Sequence, residues 1–182
     1  MLENFSRFHQ SVAQGKHRIR CVDAYRFDHR PSCDRSFHHG LVFDLQAFGQ
    51  LLFGESLRWL VKEIWVNVLQ HNGSQSLHNH ANCFASGVLY LTPCDASACT
   101  RFSRPLGGAE FVFRNTHAGM ETGPFNADKW NAPLPAPGDL ILFPSHLLHE
   151  VPVNLGAERV TLAFNAIPDR LNAWGYAVGF EP

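Results

Sequence analysis

The chain has 182 residues, 45% of them hydrophobic and 12% aromatic, with a formal net charge of −1. Such a length suits one domain, since cores commonly hold roughly 100–200 residues, and the composition supplies enough apolar side chains for a sizeable core. The near-balanced charge excludes a strongly basic binder of nucleic acid or anionic membrane. The opening stretch MLENFSRFHQSVAQG lacks the basic region, apolar stretch and small-residue cleavage site of a secretory signal. No uninterrupted apolar run approaches the ~18 residues of a membrane span, so a soluble, cytoplasmic protein is the expectation.

The first 40 residues are polar, basic in places and weakly patterned, which predicts an irregular or partly stranded lead-in. His9, His17, His29, His38 and His39 fall there and are read as solvent-exposed. From Asp44, DLQAFGQLL sets Leu45, Phe48, Leu51 and Leu52 at helical spacing. Asp44 would be the N-cap and Gly54 the stop, with a weak continuation through ESLRWL. Beyond Leu60 come short runs rich in Val, Ile, Phe and Leu: EIWVNVL, SGVLYL, AEFVFR, DLILF and RVTLAFNAI. These predict strands, with turns at HNGS, PLGG and PAPG. Many short strands after one helical element predict an all-β barrel or sandwich with a small helical cap. The stretch Asn115–Pro137 lacks periodicity and is long for a loop in a compact domain, which marks it as a candidate lid.

The five cysteines, Cys21, Cys33, Cys83, Cys94 and Cys99, are odd in number and show no CxxC spacing. That argues against both a disulfide framework and a thiolate zinc site. The 11 histidines against 15 Lys plus Arg are the unusual feature. In SLHNHANCFASG, His78 and His80 stand two apart, and in a strand both imidazoles would point to one face. A third ligand is sought in PGDLILFPSHLLHEVPVN, where His146 and His149 follow an apolar strand. Further on, Arg159, Thr161 and Ala163 share a face of RVTLAFN, so guanidinium and hydroxyl can converge on one anion. An arginine set in so apolar a run is costly to bury without a partner, and a carboxylate is its best geometric match.

These motifs in order resemble the 2-oxoglutarate- and Fe(II)-dependent oxygenases. The residues that carry the resemblance are Trp65 and Asn67, His78 and His80, SGVLYL from Ser86, and Gly107 and Gly108 with Phe111. GDLILFPSHLLH from Gly138 to His149, RVT from Arg159, and Phe164 with Asn165 complete it. It spans about Ile64 to Ile167, and the first 60 residues lie outside it. The resemblance implies a mainly β fold, a double-stranded β-helix or jelly roll, with the core over residues 61–168 of a single domain 1–182. Residues 1–60 would be an N-terminal extension carrying the helix. It also implies Fe(II) held by His78, His80 and His149, with His146 as the substitute ligand. Arg159, assisted by Thr161, would hold the distal carboxylate of 2-oxoglutarate, and Asn67 and Tyr90 are further candidate contacts. The metal and cosubstrate would carry the hard chemistry while the protein supplies orientation and a dry pocket. The substrate would be a small molecule or an amino-acid or peptide side chain.

One departure matters. Most such oxygenases pair two histidines with a carboxylate, in an H-x-[DE] first pair, whereas His80 makes this set all imidazole. Three histidines also suit zinc. The cupins share the barrel, and a cupin-type three-histidine dioxygenase or isomerase without 2-oxoglutarate is the alternative. Its first motif wants a glutamate soon after H-x-H, where this chain has ANCFAS. A non-catalytic metal- or ligand-binding barrel is a third reading. Trp130 and Phe125 could line a substrate pocket, Arg114 could face an acidic substrate, and edge strands of such barrels can pair in a homodimer.

Overall fold

The helical periodicity around Leu45 and Phe48 belongs to a longer helix than the sequence predicts. In the computed structural model, which describes residues 18–21, 37–105 and 117–180, with side chains from residue 44 onward, α1 runs Phe37–Phe53. Asp44 therefore lies inside the helix and is not its N-cap. Gly54 ends the helix at φ 69°, a left-handed conformation that glycine adopts without the Cβ penalty. The weak continuation through ESLRWL does not form, because Trp59 already opens a strand.

Strands follow in the order β1 Arg18–Cys21 (which precedes α1), β2 Trp59–Leu69, β3 Gln75–His78, β4 Ala85–Tyr90 and β5 Arg101–Ser103. After these come β6 Lys129–Asn131, β7 Asp139–Pro144, β8 Leu148–Val151, β9 Arg159–Pro168, β10 Arg170–Ala173 and β11 Tyr176–Gly179. One sheet has the order β1-β7-β4-β9-β2 and a second β3-β8-β5-β6, while β10 and β11 form a separate hairpin. The strand predicted at AEFVFR, with Gly107, Gly108, Phe111 and Arg114, lies outside the described residues, as do Cys33, His9, His17 and His29. The side chains of Cys21, His38 and His39 are likewise not described. Among the described residues no helix is long and apolar enough to cross a membrane.

Why β4, β7 and β9 read as continuous apolar runs is now plain: both their faces are covered. Alternate residues Ala85 and Leu89, Leu140 and Leu142, and Leu162, Phe164 and Ala166 point outward against Leu45 and Phe48 of α1 and Trp59. The intervening Val88, Tyr90, Ile141, Phe143 and Ala163 point inward, where Phe102 and Trp130 of the second sheet meet them. Each buried Leu or Phe in these layers stabilises the fold by about 1.5–3 kcal/mol. Packing between the layers is tight at Gly87, where any Cβ would run into the Phe164 ring and Leu142. The double-stranded β-helix implied by the motifs is thus the architecture observed.

The candidate lid is partly built in. Its later part supplies β6, and Trp130 is buried and stacked on Phe102 at 5.9 Å between ring centroids. Trp130 is therefore a core residue, whereas Phe125 is 70% exposed. The Arg104 guanidinium donates from Nη2 to the Pro124 carbonyl at 2.6 Å, tying the exposed turn to the end of β5. Cys83, Cys94 and Cys99 are free thiols, half-buried or buried.

Candidate metal centre

His78 closes β3 and stands opposite His149 of β8 in register. Their rings are 4.2 Å apart between centroids. His80 arrives differently from the sequence argument: it lies past the end of β3, so strand alternation does not aim it. A loop does, with the His80 N–H donating to the Ser145 carbonyl at 2.9 Å. The His80 ring then sits 5.3 Å from His78 and 4.9 Å from His149. Imidazole nitrogens of the three lie within 4.8 Å of one another. His146 is exposed on the turn before β8 and is not in the group.

Each ring is held by its Nδ1. His78 Nδ1 donates to the Ser76 carbonyl at 2.7 Å and His149 Nδ1 to the Leu147 carbonyl at 2.9 Å. His80 Nδ1 is 2.7 Å from Asn165 Oδ1 and 2.8 Å from Ser86 Oγ. A carbonyl oxygen only accepts, so these contacts put the proton on Nδ1 and leave Nε2 with its lone pair. Gln75 Nε2 lies at a long 3.4 Å from His78 Nε2. Burial lowers the pKa of His149 to about 4 and also pushes that of His80 down. Both imidazoles are therefore neutral at pH 7, the form a metal requires. Phe143, 4.7 Å from His149, and Trp65, edge-on to His80 at 5.5 Å, wall the cluster with apolar rings. The donor set fits a divalent metal that accepts nitrogen ligands.

Arg159 and Thr161 lie further along β9, on the same inner face as Ala163 and Asn165. Arg159 is 3% exposed. Its Nη2 donates to Tyr90 Oη at 3.2 Å and reaches Thr100 Oγ1 at 3.4 Å, and its guanidinium carbon sits 4.8 Å from the Tyr90 ring centroid. Arg159 Nε and Thr161 Oγ1 are both buried without a hydrogen-bond partner. A buried cation with an idle donor beside an idle hydroxyl fits an anionic ligand. Tyr90, fully buried and bonded to Thr100 at 2.8 Å, holds the guanidinium in place. Asn67 is half-buried and directly opposite Thr161 in register.

Sequence reasoning missed several supports. Asn154, fully buried, donates to the carbonyls of Leu69, Gln70 and Ala157 and accepts from the Gly156 N–H. It pins the loop that leads into Arg159. Ser86, Thr100 and the amide of Asn165 are likewise polar groups buried at the site. Asn165 entered the sequence analysis only as a carrier of the resemblance, and the alternation from Arg159 through Thr161 and Ala163 could have flagged it as a site residue.

A model of the protein family described as "Putative 2OG-Fe(II) oxygenase" matches residues 63–165, more than half of the chain. The chain belongs to this family of 2-oxoglutarate- and Fe(II)-dependent oxygenases, whose cofactors are Fe(II) and 2-oxoglutarate. No curated protein matches it. Among solved structures, a 2OG-Fe(II) oxygenase family oxidoreductase from Burkholderia pseudomallei is similar over 90% of this chain and 78% of its own, with TM-score 0.51 and 15% identity. HygX from Streptomyces hygroscopicus with iron bound is similar over 72% of this chain and 67% of its own, with TM-score 0.48 and 14% identity. HygX with nickel and 2-oxoglutarate bound gives 72% and 66%, with TM-score 0.48 and 13% identity. The Burkholderia likeness shows the shared fold.

Proposed function

We propose that the protein is an Fe(II)- and 2-oxoglutarate-dependent dioxygenase that hydroxylates a small molecule or an amino-acid or peptide side chain. His78, His80 and His149 hold the metal in this reading, and Arg159 with Thr161 takes the distal carboxylate of 2-oxoglutarate. The carrying observation is the pairing of three converging imidazoles with a buried, incompletely partnered Arg159 on the same barrel interior. When bound, Fe(II) and 2-oxoglutarate would activate molecular oxygen, the oxidant, for C–H hydroxylation, one oxygen atom ending in succinate as 2-oxoglutarate loses carbon dioxide and the other in the new hydroxyl.

The chain's own residues bind and orient. The Nδ1 hydrogen bonds lock ring planes and tautomers, so little ordering remains when a metal arrives. Arg159, steadied by Tyr90 and Thr100, offers a charge-assisted donor in a dry setting, where it binds a carboxylate more strongly than in water. Phe143 and Trp65 set apolar rings beside His149 and His80. Asn67, opposite Thr161, is placed to touch the same cosubstrate.

The test is an anaerobic titration with Fe(II) and then 2-oxoglutarate, following the weak visible charge-transfer band of the chelate. A saturable band that is absent in Arg159→Ala supports the reading. Iron binding with no band would favour a three-histidine cupin-type enzyme, and no metal binding would favour a binding module. Candidate substrates are then sought by their stimulation of succinate release. A cytoplasmic location agrees with the free thiols Cys83, Cys94 and Cys99. A homodimer paired through β2, an edge strand with Ile64, Val66 and Val68 exposed, is open to light scattering.

A further inference from the structure

The irregularity in β2 leads to a residue outside the ligand set. Val61 pairs with Ala166 and Glu63 with Asn165, so Lys62 is an extra residue between consecutive register positions. Val61 packs on the outer core beside Ala166. In a regular strand Glu63, two positions on, would share that outer face. The bulge turns it to the inner face instead, re-aiming a side chain as bulges near functional sites do. There Asn165 Nδ2 donates to Glu63 Oε1 at 2.8 Å.

That contact has a directional consequence. Asn165 Oδ1 is 2.7 Å from His80 Nδ1 and accepts from Ser86 Oγ at 2.7 Å. The two ends of an amide differ, one donating and one accepting, whereas a carboxylate only accepts. Glu63 therefore requires the NH2 end of Asn165, and the oxygen end must face His80. An oxygen facing Nδ1 in turn requires the proton on Nδ1 and the lone pair on Nε2. With the amide reversed, its oxygen would confront the carboxylate, and its NH2 would call for the lone pair on Nδ1 and the proton on Nε2. Glu63 also has Lys62 Nζ at 3.8 Å, an exposed ion pair of little weight. The hydrogen bond from Asn165 is the chief cause holding the Glu63 carboxyl below its usual pKa, so it is ionised at neutral pH.

We propose that Glu63 is a positioning residue for the metal centre: through the Asn165 amide it sets the His80 tautomer and aims the His80 Nε2 lone pair inward. It also places one anionic group behind a ligand set that, being all imidazole, carries no charge of its own. The proposal rests on the reading of the three histidines as the metal centre.

The full chain, labelled with 15N-histidine and kept metal-free at pH 8, is compared with Glu63→Ala and Glu63→Gln by long-range 1H–15N correlation. Co(II) affinity is measured in parallel by chelator competition. The expected result is a single Nδ1–H tautomer for His80 in the wild type and a mixture in Glu63→Ala. Co(II) binding should be weakened about 10–100-fold in that variant, with the metal-free unfolding midpoint unmoved. Glu63→Gln, which keeps an acceptor oxygen, should restore most of the affinity. An unchanged tautomer or wild-type Co(II) affinity in Glu63→Ala overturns the proposal, as does a lowered unfolding midpoint with the tautomer intact. If the wild type binds no Co(II), the metal-centre reading fails instead, and the tautomer still decides whether Glu63 sets His80.

Discussion

The two ends of the barrel's inner face are finished differently. At the histidine end each Nδ1 has an oxygen partner, which leaves the Nε2 lone pairs to bind. At the Arg159 end the protein leaves a guanidinium Nε and the Thr161 hydroxyl buried and idle. The first arrangement costs little when empty, because a neutral imidazole among apolar rings carries no unpaired charge. The second is costlier when empty, since Tyr90 and Thr100 replace only part of the hydration that a buried cation without an anion loses. The histidine end is thus built to be ready, and the arginine end to be completed by what binds.

The sharpest way to break this comparison is at the histidine end. His149→Ala should abolish stoichiometric metal, measured as Co(II) bound per chain, while His146→Ala retains it. Metal kept in the first and lost in the second would mean that the wrong histidine closes the site. At the arginine end, Arg159→Met should leave Co(II) binding intact but weaken 2-oxoglutarate by about 2–5 kcal/mol in calorimetry. Its metal-free unfolding midpoint should not fall, because an apolar side chain replaces an incompletely partnered cation. A lowered midpoint with normal 2-oxoglutarate affinity would make Arg159 a structural residue.

Gly87→Ala probes the wall between the ends. Its Cβ would meet Phe164 and Leu142, so a loss of about 1–3 kcal/mol of stability is expected from overpacking, read by denaturant unfolding. Both binding functions should survive in the folded fraction. The smallest effect belongs to Thr161→Val, which removes one hydroxyl and should weaken 2-oxoglutarate by about 0.5–1.5 kcal/mol. Equal weakening of metal in that variant would show that the two ends are not separate.

Much of the layout is legible in the residues. The apolar runs of β4, β7 and β9 announce strands because each residue, inward or outward, meets a covered face. His78, His149 and the Arg159–Thr161 pair stand out because their chemistry is local: an imidazole or guanidinium in an apolar setting needs a reason. The start of α1 is masked by Asp44, a capping residue type, although Phe37 and Leu41 continue the helical spacing of Leu45 and Phe48. Trp130 looked like a loop aromatic because a strand of only three residues leaves no alternation to read.

By itself, then, the sequence determined a mainly β fold, the pair His78 and His80 and the cation that would face an anion, consequences of side-chain type and short-range spacing, while His149 was favoured over His146 only through the family resemblance. Only the tertiary structure decided that a loop, not strand alternation, delivers His80, that His146 stays outside, and that Glu63 reaches Asn165. Each of those depends on a register shift or a loop path, and a displacement of one residue exchanges the inner face for the outer without altering the sequence around it.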